Sequence, residues 1–278
     1  MKYCLNVANF GAYSDIRLLV ELACEAENAG WEGFFLWDHM IMDSQQKIPF
    51  VDPWIALSAI AMKTESMKIG TMITPLPRRR PWKLAREIIS LDHLSQGRLI
   101  VGIGLGNPPE EYSIFGEPSM RNIQAQKLDE GLEIIDGLLS GNPFTFSGIH
   151  YQIEEVTFLP TPYQSRIPVW IAGMWPHRLP FQRAARWDGV VPISVDYTRN
   201  LSPGEIAEIV EYVDSHRVRD DPFDMVVIGE TPAEDDKALQ TIAPYITAGA
   251  SWWSESIHGW RGSLEENRKR IQKGPPHM

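Results

Sequence analysis

The segment AGWEGFFLWDHM, residues 29–40, carries the pattern that decides the fold. Its opening Ala-Gly pair ends an amphipathic helix, since glycine is the usual residue just past a helix C-terminus. A short apolar strand, Gly33 to Trp37, follows at once and leads directly into Asp38-His39. Proteins with parallel sheets bind ligands at the carboxyl ends of their strands, so we expect this carboxylate and imidazole to lie in a functional site.

The Asp-His pair suggests acid–base chemistry. Histidine titrates near neutral pH, and a neighbouring carboxylate can fix its tautomer or raise its pKa. We therefore predict His39 as the catalytic acid or base and Asp38 as the residue that orients it. The dipeptide alone is also consistent with a solvated pair that caps the next loop, because Asp-His is no specific motif.

Strands alternate with helices along all 278 residues. Such alternation implies a parallel sheet with right-handed crossovers, and eight units in about 250 residues point to a closed barrel. Residues 141–168 instead predict a hairpin and a proline-rich connection. We therefore predict one α/β domain over residues 1–278, a (β/α)8 TIM barrel with a short hairpin insertion after the fourth βα unit. The predicted strands are 2–8, 33–37, 67–73, 99–103, 168–172, 189–192, 224–229 and 250–253.

Three helix starts carry the capping-box pattern, in which a hydroxyl and a carboxylate three residues later satisfy exposed backbone N–H groups. Two of them also place proline at the first helical position, where its missing N–H costs nothing. We expect helices to begin within residues 202–205, 231–234 and 263–266.

Composition excludes several classes of protein. A net charge of −10 argues against nucleic-acid binding, which needs a basic face. Cys4 and Cys24 make neither a disulfide framework nor a metal site, and both are predicted as small buried hydrophobes in a reducing compartment. We find no signal segment and no run of 18 apolar residues, so we expect a cytoplasmic protein without a membrane span.

The loops after the predicted strands hold the candidate ligand contacts. Several of the 10 tryptophans collect there, which would suit a large planar ligand or simply fill a wide barrel mouth. The run from Gly102 to Gly106 lacks the third glycine of a dinucleotide fingerprint and favours close approach of a ligand to backbone. The arginines at 78–80 form a solvated face or an anion clamp, and residues 173–178 a phosphate seat or an ordinary turn. Neither a metal-ligand spacing, nor a nucleophile elbow, nor a P-loop is present, which favours cofactor chemistry.

The chain resembles the bacterial luciferase-like superfamily of flavin- and coenzyme F420-dependent oxidoreductases. The phrase LDHLSQGRLIVGIGLG is the most specific part of the resemblance, which covers most of the chain. Three segments carry it in the right order: AENAGWEGFFLWDHM (26–40), IGTMITPLPRRRPWKLAREIISLDHLSQGRLIVGIGLG (69–106) and PVWIAGMWPHRLPFQRAARWDG (168–189).

The resemblance implies a reduced flavin or deazaflavin, FMN or F420, lying across the barrel mouth. It places Asp38-His39 near the reacting face of the ring, and behind the ring a segment where many members carry a non-prolyl cis peptide. Cofactor contacts are then expected from Met72, Ile73, Thr74, Asn107, Gly173, Met174, Trp175, His177 and Arg178. The substrate space is expected to be lined by Phe10, Trp37, Trp253 and Glu255.

The predicted function is hydride transfer or oxygen activation on a small apolar organic molecule. Sugar-phosphate dehydrogenases of the family carry an acid where this chain has Asn107, which argues against that activity. The resemblance also implies a homodimer and allows a separate flavin or F420 reductase as a partner. Two other classes remain open, namely a non-catalytic flavin-binding barrel and a cofactor-free barrel lyase or isomerase.

Overall fold

The computed structural model describes residues 1–42, 45–232 and 234–276. Within them, mostly buried segments form the barrel strands, and the two strands of the insertion are more exposed. The strands are β1 (Lys2–Val7), β2 (Gly33–Leu36), β3 (Lys68–Pro75), β4 (Leu99–Gly104), β5 (Phe144–Ser147), β6 (Gln152–Val156), β7 (Val169–Trp175), β8 (Gly189–Ser194), β9 (Asp224–Gly229) and β10 (Trp252–Ile257).

The helices pack around the strands with their apolar faces inward. Side-chain caps begin several of them, such as that of Asp15 on the first helix. The helices are α1 (Ile16–Asn28), α2 (Pro53–Ala61), α3 (Pro81–Leu94), α4 (Glu110–Ser113), α5 (Arg121–Leu139), α6 (Arg178–Ala184), α7 (Pro203–Asp214), α8 (Asp235–Thr247) and α9 (Leu264–Lys273).

Eight parallel strands close into a barrel in the order β1-β10-β9-β8-β7-β4-β3-β2. The predicted TIM barrel is therefore confirmed. The remaining two strands, β5 and β6, form an antiparallel hairpin inside residues 141–168, where the sequence predicts the insertion. That a single domain spans residues 1–278 stays a prediction. No helix among the described residues is both long enough and apolar enough to cross a membrane.

Large side chains fill the barrel interior. Trp170 packs edge-on against Trp252, with ring centroids 5.3 Å apart, and Phe35 lies 5.0 Å from Trp170 on its other side. Cys4 belongs to the same cluster and is fully buried as predicted, whereas Cys24 is only half-buried. This packing fills the barrel interior, and ligands of this fold bind at the mouth formed by the carboxyl ends of the strands.

The strand β3 is irregular where it faces β4. Its register shifts between Thr71 and Thr74, and the peptide bond between Met72 and Ile73 is cis. A Cβ on Gly102 would collide with the carbonyl oxygen of Thr71. Gly102 is thus required for close approach of the irregular β3 strand, whereas Gly106, at the other end of the same run, lines the cavity.

Several predicted boundaries shift by one to three residues, and two predictions fail for a clear physical reason. The capping box at residues 231–234 does not form, because Thr231 donates its N–H and its hydroxyl to the buried carboxylate of Glu255, both at 2.9 Å. Helix α8 begins after Glu234, which makes no side-chain cap, and residue 233 lies outside the described part of the chain. The last strand extends to Ile257, four residues beyond its predicted end.

Candidate active site

A cavity of about 970 Å³ opens at the carboxyl ends of the barrel strands. Its lining is mainly apolar on the β3, β7, β8 and β9 side. The structure brings together ten of the predicted site residues along its wall: Trp37, Asp38, His39, Met72, Ile73, Asn107, Gly173, Met174, His177 and Arg178. Among the described residues, no group of three or more acidic, histidine or cysteine side chains is arranged to hold a metal ion.

Three predicted residues are not among the described lining of the cavity, but each contacts a residue that is. Thr74 is fully buried and contacts Asp38 Oδ2 at 2.9 Å. Phe10 packs against Trp37, with ring centroids 5.7 Å apart. Trp175 is also buried, and the guanidinium of Arg178 lies 4.1 Å from the centre of its ring.

The remaining two, Trp253 and Glu255, lie within β10 and do not reach the described cavity wall either. The Trp253 indole donates to Glu255 Oε2 at 2.8 Å. The Glu255 carboxylate is completely buried and also pairs with Arg261 and Arg270. This network joins β10 to the final helix, and a role for Trp253 and Glu255 in lining the substrate space stays a prediction.

Two arginines of the 78–80 run bind Asp38. Arg79 donates to both carboxylate oxygens at 2.9 and 2.7 Å, and Arg78 donates to Oδ1 at 3.0 Å. The Arg78 side chain is only 4% exposed. The run is thus neither a solvated face nor a clamp for an external anion, because its first two members are committed to an internal carboxylate.

The carboxylate that contacts His39 is Glu111, on the short helix α4. Glu111 Oε1 lies 3.3 Å from His39 Nδ1 and accepts the backbone N–H of Met40 at 2.7 Å. Its other oxygen accepts from Arg78. We predicted that Asp38 would contact and orient the imidazole, but the residue that contacts it in the structure is Glu111. The two carboxylates share Arg78.

Glu111 was not among the site residues predicted from the sequence. It lies four residues beyond Asn107 on helix α4, and the other acidic residue of that helix, Glu110, is exposed. The available signal was an acidic pair shortly after a strand end, where catalytic loops lie. A carboxylate on α4 and an imidazole after β2 meet only because the barrel brings both strand ends to one mouth.

The pKa of Glu111 lies below its ordinary value of 4.5. Burial alone would raise it, but the hydrogen bond from His39, the charges of Arg78 and His39 and the N–H of Ile41 together outweigh burial. A lowered folded-state pKa means that ionised Glu111 stabilises the fold above its unfolded pKa and loses this effect as pH falls through the folded pKa.

We therefore expect the free energy of unfolding to fall more steeply below pH 4.5 in the wild type than in Glu111→Gln. Urea titrations at a series of pH values measure the difference. The exposed neighbour offers a matched control, since Glu110→Gln should keep the wild-type slope. Equal slopes for wild type and Glu111→Gln would contradict the assignment.

Two further arginines of the cavity lining have no carboxylate partner among the described residues. Arg121 donates to Gly106 O at 2.8 Å and to Asn107 Oδ1 at 3.1 Å. Arg178 lies over the rings of Trp175 and Tyr212. Both line the cavity, so both can receive an anionic group. Arg121 was missed because it begins helix α5, 14 residues after Asn107, the residue to which the sequence pointed.

Against known proteins, the sequence matches the family described as luciferase-like monooxygenase over residues 4–273. The chain belongs to the luciferase-like monooxygenase family. The resemblance that the sequence motifs predicted is therefore confirmed. The match includes all eight barrel strands, except for the first two residues of β1, Lys2 and Tyr3.

Curated relatives of this luciferase-like chain include enzymes named for different reactions. It is 30% identical over 161 residues to the F420-dependent glucose-6-phosphate dehydrogenase of Microbacterium testaceum. The aligned region covers 57% of this chain and 47% of that enzyme. It is 27% identical over 158 residues to the limonene 1,2-monooxygenase of Rhodococcus erythropolis, covering 57% and 38%. The chain thus matches about half the length, or less, of these relatives.

Among solved structures, the luciferase-like chain is similar to an F420-dependent secondary alcohol dehydrogenase in complex with an F420-acetone adduct. The TM-score is 0.79 over 99% of this chain and 98% of that one, at 14% sequence identity. Identity at this level supports the shared barrel fold alone.

Proposed function

We propose that this chain is an oxidoreductase that binds FMN or F420 in the cavity and acts on a small uncharged organic substrate, with His39 as its acid or base. Such a cofactor supplies hydride transfer, or in the case of a flavin also oxygen activation, when it is bound. The observation that carries the proposal is the position of His39, an imidazole held by a buried carboxylate on the wall of a large, mainly apolar cavity.

The cavity suits a group of this kind in size and in polarity. A volume of about 970 Å³ lies at the upper end of the range for small-molecule and cofactor sites. The side chains of Met72, Ile73 and Val191 supply flat apolar contact from the strands. Arg121 and Arg178 supply positive charge at one side, where a phosphate would be bound by guanidinium groups.

The imidazole of His39 is restricted to one proton-transfer atom. Its Nδ1 faces Glu111 Oε1 at 3.3 Å, so Nε2 is the nitrogen left to give a proton to a bound molecule or accept one. Asn9 fixes the backbone around it, since its side chain donates to His39 O and Val51 O, both at 2.8 Å. The tautomer and the ring position are therefore set before a ligand binds.

The decisive experiment is a titration of the purified protein with FMN and with F420, followed by ligand fluorescence. We expect at least one to bind, and Arg178→Ala to weaken that binding roughly ten- to hundredfold through loss of a charged hydrogen bond. Arg80→Ala is the matched control, because Arg80 is exposed and is not among the described lining residues. F420 binding alone would direct the search to hydride transfer, and FMN binding alone to oxygenation. Binding of neither would refute the proposal.

A further inference from the structure

Asn6 is a buried polar residue that the proposed chemistry does not use. Its side chain is 3% exposed, lies on β1 and lines the cavity. Its carboxamide oxygen has no hydrogen-bond partner among the described residues. Buried carboxamides are normally satisfied, and an exception at a cavity wall indicates a partner that comes from outside the chain.

Two further polar groups lie on the strands beside Asn6. Ser256 is its register partner on β10 and lines the same cavity. On the other side, Trp37 follows β2, and its indole Nε1 is buried without a hydrogen-bond partner among the described residues. Three positions on one side of the barrel mouth thus offer an amide, a hydroxyl and an indole N–H, with Trp37 two residues beyond Phe35, the register partner of Asn6 on β2.

Few charged side chains line the cavity beside this polar group. Of the described lining residues on β1, on β10 and after β2, only Asp38 and His39 have titratable side chains. The Asp38 carboxylate is bound by Arg78 and Arg79. No free cation is therefore available among these residues to pair with an anionic ligand, and the groups on offer are suited to a neutral partner.

The position of Asn6 separates it from the arginines. In the closed barrel β1 lies four strands from β7 in either direction, so the two are diametrically opposite. Arg178 follows β7, and Arg121 follows the neighbouring β4. An anionic group bound by the arginines therefore lies across the mouth from Asn6.

We propose that Asn6, Ser256 and the Trp37 indole form a substrate subsite that binds an uncharged hydroxyl or carboxamide group. The assignment rests on the proposed function, because it takes the arginine side for the cofactor. A hydroxyl or carboxamide both donates and accepts, and so can satisfy the Asn6 oxygen and the indole N–H together. The subsite discriminates against a pure hydrocarbon, which would leave both groups unpaired, and against a carboxylate, which would find no counter-charge.

The test compares benzyl alcohol with ethylbenzene, which has the same number of heavy atoms, and with benzoate, each titrated by ligand-observed NMR. We expect the wild type to bind benzyl alcohol at least roughly tenfold more tightly than either of the other two. Asn6→Leu should abolish the preference over ethylbenzene, and Ser256→Ala should reduce it. Asn122→Leu is the matched control, since Asn122 lines the cavity on α5 and should leave the preference unchanged. Melting temperatures establish whether each variant is folded. If Asn6→Leu is unfolded, the test of the subsite rests on whether Ser256→Ala reduces the preference for benzyl alcohol.

The outcomes separate this inference from the proposed function. A wild type without the preference, or a folded Asn6→Leu variant that keeps it, overturns the subsite. Loss of FMN or F420 binding in Asn6→Leu also overturns it, because the carboxamide would then belong to the cofactor. Failure of the wild type to bind either cofactor defeats the proposed function, while the ratio of the probe affinities still decides the role of Asn6.

Discussion

Replacing Arg78 by methionine is expected to lower the free energy of unfolding by about 3–5 kcal/mol at neutral pH, the cost of breaking a buried ion pair. Methionine keeps much of the length of the side chain but removes the charge shared by Asp38 and Glu111. Both carboxylates are buried, with at most 1% of either side chain exposed. The loss leaves two negative charges in the interior with fewer partners, which explains the large effect.

Urea unfolding measures the effect, and the same arginine run supplies the control. Arg80→Met removes an exposed guanidinium and should change the free energy of unfolding by less than about 0.5 kcal/mol. Adding Glu111→Gln to Arg78→Met should restore part of the lost stability, because it removes one stranded charge. An Arg78→Met variant no less stable than Arg80→Met would show that the network does not stabilise the fold.

Removing the imidazole of His39 is expected to lower kcat by roughly 10²- to 10⁴-fold, the usual contribution of a positioned acid or base. The reason lies in the geometry, because His39 lines the cavity with Nδ1 already engaged by Glu111. His39→Ala should leave cofactor affinity close to that of the wild type. Steady-state kinetics on a substrate identified by screening, with the cofactor titration alongside, measure both quantities.

A second histidine of the cavity provides the comparison. His177 is exposed on the opposite side, directly before α6. We expect His177→Ala to affect cofactor affinity and to leave kcat within a few-fold of the wild type. The catalytic assignment does not survive if His39→Ala turns over at the wild-type rate, or if both variants lose activity equally.

The barrel could be predicted because its signals are local. Each buried strand is a short apolar run with a helix on either side, and the period of the pattern changes at the glycine that ends the helix. The last strand shows where this fails. Beyond Trp253 it continues through Ser254, Glu255 and Ser256, which are buried but polar, so an apolar criterion stops too early.

The site could be predicted only in part. Asp38-His39 is correctly found at a strand end that borders the cavity. The sequence suggests that adjacent residues act on each other, yet each of these two side chains is held by a residue from a distant part of the chain. The Asp38 carboxylate accepts hydrogen bonds from Arg78 and Arg79, while the imidazole contacts Glu111, 72 residues away along the chain. Such long-range pairings are absent from any local pattern.

The arginines at the cavity also bear on how ligands arrive. The chain as a whole carries a net charge of −10, whereas Arg121 and Arg178 present unneutralised guanidinium groups at the mouth. Electrostatic interactions in physiological salt fade over about 8 Å. An anionic molecule would thus be repelled during its diffusional approach and attracted only on contact. Added salt would then speed the encounter while it weakens the final complex, the reverse of the usual association behaviour of a steered, oppositely charged pair.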